Sequence, residues 1–222
     1  MDEQATGIIL RTYPLTESSL IVHWITRELG RTATVARGAL RPKSIFRGKI
    51  DLFHKCEFLF ARSRRSELHT LKEVELLESY PALRSDIQCL QRAVYAAALI
   101  EQTTETDTPL PELFELLKGY IQAISRQQAA VAVFAFELKL LETLGMRPDP
   151  AAIKTTAGVK RLIEVLLSAD WSTVQTLRLS SPQFQELRQF LHGFLLYHLE
   201  KIPRSRSKAL EDAEAVAQRK TG

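Results

Sequence analysis

The chain has 222 residues, 45% of them hydrophobic and 25% charged, and its 30 basic and 26 acidic side chains give a formal net charge of +4. That apolar content and small net charge exclude a disordered chain, and no apolar run approaches the ~18–20 residues that a membrane span needs. The charge is unevenly spread: Arg27 to Arg65 hold eleven Lys or Arg against three acids, a local net of +8, while the remainder sums to −4.

Up to Pro81 the segments are short, rich in β-branched and aromatic residues, and separated by turn formers. Thr6–Tyr13 reads as a strand, followed by a proline-bearing loop and a second strand over Ser18–Thr26, with Leu20, Val22 and Trp24 on one face. Gly30 turns the chain into a third strand, Arg31–Arg37. Gly38 to Gly48 reads as a basic loop, and six basic residues with no acid lie between Arg31 and Ile50. Leu52–Ala61 and Glu67–Glu75 complete five strands, joined by the basic turn from Arg62 to Ser66. Strands this short are unstable alone, so they imply a small closed barrel.

Beyond Pro81 the apolar period changes from two toward 3.6. Ile87, Leu90, Val94 and Ala97 share one helical face, as do Phe114, Leu117, Ile121 and Ile124 after the start signal at Thr108-Pro109-Leu110-Pro111. Ala130, Phe134, Leu138 and Leu141 form a third stripe that ends at Gly145. Val159–Ser168 is a shorter helix, and Ser181-Pro182 opens another carrying Phe184, Leu187, Leu191, Phe194 and Leu195. Short connections between long helices imply an antiparallel bundle. The polar stretch from Pro203 to Gly222 reads as a frayed helix. The class is α+β, a barrel over residues 1–80 followed by a helical domain over 81–222.

Catalytic signatures are missing. There is no GxGxxG or Walker loop and no G-x-S-x-G elbow, and the five histidines are scattered. Cys56 and Cys89 cannot supply a four-ligand zinc site, and two isolated cysteines fit a reducing compartment. No catalytic residue, cofactor or metal is expected. The opening residues lack the basic-then-apolar pattern of a signal peptide, so a cytoplasmic location is expected.

The positive signal is the basic patch, because a dense Lys/Arg surface is the footprint of nucleic-acid binding through counterion release. Its members are Arg31, Arg37, Arg41, Lys43, Arg47 and Lys49 on the third strand and loop, with Arg62, Arg64 and Arg65 in the following turn. Phe46, inside the loop, is the aromatic expected to stack on bases. Phe53, Phe58, Phe60, Trp24 and Trp171 are expected in cores. The alternative is a protein-interaction scaffold whose helical domain docks partners and whose basic barrel binds an acidic protein.

Gly7-Ile8-Ile9-Leu10-Arg11, Tyr13-Pro14-Leu15-Thr16-Glu17-Ser18-Ser19-Leu20-Ile21-Val22, Thr26-Arg27-Glu28-Leu29-Gly30-Arg31, Val35-Ala36-Arg37-Gly38-Ala39 and Arg41-Pro42-Lys43-Ser44 stand in an order that resembles the RecO family of recombination mediators. Phe136-Glu137-Leu138-Lys139-Leu140-Leu141-Glu142-Thr143-Leu144-Gly145 resembles the family's later helix motif. The resemblance implies an N-terminal OB-fold barrel and a C-terminal helical domain. It implies binding and annealing of single-stranded DNA, with double-stranded DNA as an alternative ligand. Its implied partners are RecR and the acidic, apolar tail of single-strand-binding protein, with RecA served indirectly, and its implied setting is the bacterial cytoplasm at the nucleoid. Carried over, Arg31, Arg37, Arg41, Lys43, Arg47 and Lys49 would contact DNA. Two departures stand out. Met146 to Thr156 contains none of the four cysteines many members carry there, so no zinc finger is expected. Where members place a basic residue ahead of the Phe-Glu-Leu run, this chain has Phe134-Ala135.

Overall fold

The computed structural model describes residues 2–126, 130–149 and 152–218, with the side chains of 212–218 excepted. The chain forms two compact units, one made of the residues up to Tyr80 with Glu101–Lys118, the other of Pro81–Ile100 with the chain from Gly119 onward. The break near Pro81 thus acquires an exchange, with residues 101–118 belonging to the barrel unit.

Five strands close the barrel in the order β1-β2-β3-β5-β4. They are β1 (Asp2–Pro14), β2 (Leu20–Thr26), β3 (Gly30–Ala36), β4 (Lys55–Ala61) and β5 (Leu68–Glu78). Strand β1 is long enough to pair with two partners: Asp2 to Ile8 run antiparallel to β4, and Gly7 to Pro14 run antiparallel to β2 across a bulge between Ile9 and Arg11. The bulge bends the strand so that one segment serves both neighbours. Closure is completed by a short parallel pairing, Ala33 to Val35 against Leu68 to Thr70.

Alternation along the strands fills the interior. Cys56, Phe58 and Phe60 of β4 and Thr32, Thr34 and Ala36 of β3 point inward and are buried. Trp24 stacks on Phe58 at 4.2 Å between ring centroids, and its indole N–H donates to Thr34 Oγ1 at 2.9 Å, which satisfies its polar end inside the core. Strand β4 starts at Lys55 instead of Leu52, because Phe53 adopts a left-handed conformation (φ 63°) that turns the chain while its ring is buried. Gly30 is a required glycine. Its φ is +73°, and a Cβ there would stand 1.9 Å from the Thr108 carbonyl oxygen, so residues 101–118 can lie close on the β2–β3 turn.

The helices are α1 (Ala82–Ser85), α2 (Ile87–Thr103), α3 (Pro111–Arg126), α4 (Val131–Thr143), α5 (Ala157–Ser168), α6 (Trp171–Thr176), α7 (Ser181–Leu199) and α8 (Ser205–Gln218). Helix α4 is apolar nearly all round, as a buried helix must be, and packs against α5, α6 and α7. Helix α7 opens with a capping box between Ser180 and Gln183 and a proline in its first turn. Helix α8 is firmer than its polar sequence suggests, since it buries Arg206, Ala209 and Leu210.

One ion pair explains that burial. Arg206 donates to both Glu137 carboxylate oxygens, at 2.7 and 3.0 Å, and the Tyr95 hydroxyl donates to the same carboxylate at 2.6 Å. Glu137 is fully buried at the centre of α4. The glutamate of the Phe-Glu-Leu run therefore ties α8 and α2 to α4.

Candidate nucleic-acid interface

The basic loop leaves β3 at Arg37 and folds as a chain of tight turns. The backbone N–H groups of Arg41, Ser44 and Arg47 donate to the carbonyls of Gly38, Arg41 and Ser44 at 3.0–3.2 Å. Two bonds fasten the loop to the β1–β2 turn, from Leu40 N–H to the Ser18 carbonyl at 3.0 Å and from Gly38 N–H to Ser19 Oγ at 3.2 Å. Phe46 is the anchor: it is 5% exposed and belongs to the barrel core, with Ala39 and Ile50 packed against that cluster. This corrects the expectation that Phe46 stacks on bases, because its ring closes the end of the barrel and is closed to a ligand. Anchored this way, the loop holds Arg37, Arg41, Lys43 and Arg47 exposed and Lys49 half-buried. None of the five makes an ion pair among the described residues, so their charge is available to a polyanion.

The remaining basic positions lie elsewhere. Strands β3 and β5 run parallel with Ala33 level with Leu68, so the loop after β3 and the turn before β5 leave opposite ends of the barrel. Arg64 and Arg65 are exposed at that far end. Arg62 is committed to Glu3 at 2.7 and 2.9 Å and lies 3.8 Å from Asp107. The Arg62 guanidinium, donating to Glu3, holds that carboxyl below its ordinary range. Arg31 is committed as well: its Nε donates to Thr104 Oγ1 at 2.8 Å, and its carbonyl accepts from Asp107 N–H at 2.7 Å. Arg31 and Arg62 are therefore braces for the 101–118 segment, and the linear patch divides into a loop cluster and a smaller turn cluster.

The same segment covers the outer face of β2 and β3. Glu101 lies 2.6 Å from Arg11 and 3.9 Å from His23 Nδ1, and Arg27 lies 3.8 Å from Glu115. Burial raises the Glu101 carboxyl above its usual value, opposed by Arg11 and Arg31 beside it. The cations of this face are answered internally, which leaves the loop as the open basic surface. Sequence reasoning could not separate the two groups, because partners such as Glu3, Glu101, Thr104 and Asp107 are remote in the chain.

Met146 to Thr156, where no zinc finger is expected, contains neither cysteine nor histidine. Among the described residues no group of three or more His, Cys, Asp or Glu could hold a metal ion. Cys56 is in the barrel core, and Cys89 is buried with its thiol toward the Ile124 carbonyl. The turn after α4 is instead held by organic contacts. Thr156 donates through N–H and Oγ1 to Glu186 at 2.6 and 2.8 Å, and Arg147 pairs with Glu142 at 2.7 Å. These residues do not fit zinc.

A closed OB-like barrel followed by a helical unit, with an acid-free basic loop on the barrel, defines an α+β architecture suited to nucleic acid. Comparison with protein families supplies the particular one. Residues 1–80 match the family model described as "Recombination protein O N terminal", and residues 84–152 and 147–207 match "Recombination protein O C terminal". The chain belongs to the RecO family and is a DNA repair and recombination protein. It is similar to the DNA repair protein RecO of Desulforudis audaxviator, 25% identical over 235 residues covering 91% of this chain and 94% of the relative. It is 34% identical over 149 residues to that of Exiguobacterium sp., covering 67% of this chain and 59% of the relative. With that of Listeria monocytogenes serotype 4b it shares 34% over 154 residues, covering 68% and 60%. Among the described residues no helix is long and apolar enough to cross a membrane.

Proposed function

We propose that the protein is a non-catalytic mediator that binds and anneals single-stranded DNA and, together with RecR, assists the loading of RecA. The observation that carries this reading is the anchored loop, which presents Arg37, Arg41, Lys43, Arg47 and Lys49 without an acid among them. Such a surface holds phosphate backbones irrespective of sequence. By neutralising two strands at once, it lowers their mutual repulsion and lets their bases pair. Arg64 and Arg65, at the other end of the barrel, extend the basic track and make double-stranded DNA a further ligand. The setting proposed is the bacterial cytoplasm at the nucleoid. An annealing assay on complementary oligonucleotides coated with single-strand-binding protein tests DNA and protein contacts together. The coated strands should anneal with the native chain and fail to anneal when the loop cations are neutralised.

A second reading, a partner-docking role for the helical unit, is favoured by a groove of about 540 Å³ between α7 and α8, lined by Arg188, His192, Arg204, Ile202, Pro203 and Leu210. Cations above an apolar floor suit an acidic peptide with hydrophobic side chains, which is the chemistry of the single-strand-binding protein tail. In this reading the tail's binding does not depend on the Phe134-Ala135 positions, both fully buried. Fluorescence anisotropy with labelled single-stranded oligonucleotide and with labelled acidic peptide separates the two readings. Substitutions in the loop should weaken only the first ligand and substitutions in the groove only the second.

A further inference from the structure

The basic loop carries two side chains that its electrostatic role does not explain. Leu40 is 53% exposed and Ile45 is 63% exposed, each placed between cations in a loop of about a dozen residues. A large apolar side chain exposed among Arg and Lys has no internal packing to account for it. Isolated exposed apolar residues are ordinary on protein surfaces, but both of these are fixed by the loop's own architecture. Within the turn from Ser44 to Arg47, Phe46 is drawn into the core and the residue before it is directed outward. Leu40 is held in place by its backbone bond to Ser18.

Ile45 also overhangs a cleft of about 670 Å³, whose other lining includes Lys49, Leu59, Glu57, Glu73 and Glu75. The strand register sets Glu57 opposite Glu75 and Leu59 opposite Glu73, so three carboxylates flank one apolar side chain on the outer face of β4 and β5. That wall repels phosphate. A strand held by the loop cations must therefore keep its backbone on the cation side and can turn only its uncharged parts toward Ile45 and Leu59. A ligand that is polyanionic along one edge and apolar along the other is single-stranded nucleic acid with unstacked bases.

Resting on the DNA-binding reading above, we propose that Leu40 and Ile45, both set among the loop cations and Ile45 also lining the carboxylate-walled cleft, are the base-contacting residues of this interface. They stand in for the aromatic that the core has taken. Aliphatic side chains serve in this way elsewhere, as wedges against or between bases.

The test uses the full chain and a single-stranded 20-mer carrying 2-aminopurine, with a fluorescein-labelled twin for anisotropy. In Leu40→Ser/Ile45→Ser the affinity should fall about tenfold at fixed salt, as loss of a base contact predicts. The slope of log affinity against log salt should stay as in the native chain, and the 2-aminopurine response should vanish. Leu40→Met/Ile45→Met should keep both affinity and response. Affinity within twofold of native, or an undiminished 2-aminopurine response, in the serine variant overturns the assignment. Binding to phosphatidylserine vesicles that is lost in the serine variant while DNA affinity is unchanged overturns it in favour of a lipid surface. A native chain that shows no salt-dependent binding to the 20-mer instead overturns the DNA-binding reading itself, a separate result.

Discussion

Removing the Glu137 carboxylate is the sharpest perturbation of the helical unit. Glu137 is completely buried and Arg206 is 6% exposed, so the pair meets almost no solvent. Glu137→Ala would leave a buried guanidinium facing a void and deprive the Tyr95 hydroxyl of its acceptor. Breaking one side of a buried pair costs about 3–5 kcal/mol, against a total stability on the order of 5–15 kcal/mol for a domain. A midpoint shift on the order of 10 °C follows for a unit of this size. The pair itself contributes less than this loss implies, because desolvation offsets its attraction. Glu137→Leu/Arg206→Met, which removes both charges, should therefore be more stable than Glu137→Ala. Urea unfolding followed by far-ultraviolet circular dichroism measures all three chains. A loss under about 1 kcal/mol in Glu137→Ala, or a double variant no more stable than the single, would refute the role assigned to the pair.

Three further outcomes follow from the geometry. His69 is buried against Phe60 and its pKa is lowered, first by desolvation, so the unfolded chain takes up its proton more readily than the folded one. Barrel stability should thus be full above the ordinary histidine value of 6.5 and decline as pH falls below it, and His69→Gln should flatten that decline in pH-dependent thermal melts. Burial pushes the Cys56 thiol up to about 12, so a thiol-reactive chromophore at pH 7.5 should modify Cys56 only after unfolding; prompt labelling of the native chain would contradict its core position. Arg31→Gln should lower the barrel's melting temperature but leave the salt slope of DNA binding unchanged, because the Arg31 side chain braces Thr104; a reduced slope would return it to the interface.

The barrel and the bundle were legible in the chain because the period of apolar residues changes at Pro81, and both periods report burial directly. What stayed hidden depended on long-range partners. Phe46 looked like a ligand-facing aromatic because its neighbours are basic, yet burying a phenyl ring at the barrel end outweighs any benefit of exposing it. Arg31 and Arg62 looked like members of one patch, but Thr104, Asp107 and Glu3 claim them across the fold. Helix α8 looked frayed because its anchor, Arg206, is a charged residue whose burial makes sense only opposite Glu137. Leu40 and Ile45 were detectable in principle, as aliphatics inside a basic turn. Their significance appears only once Phe46 is seen to be inside.

The central claim is that the anchored loop, and not the whole basic segment, holds the phosphate backbone. The direct measurement is the salt dependence of single-stranded DNA affinity for the native chain and for Arg37→Gln/Arg41→Gln/Lys43→Gln. Each phosphate contact contributes about 0.7 to the slope on a single strand, so removing three should reduce it by about 2, with the circular dichroism melt unchanged. A triple variant that binds with native affinity and native slope at low salt would contradict the account.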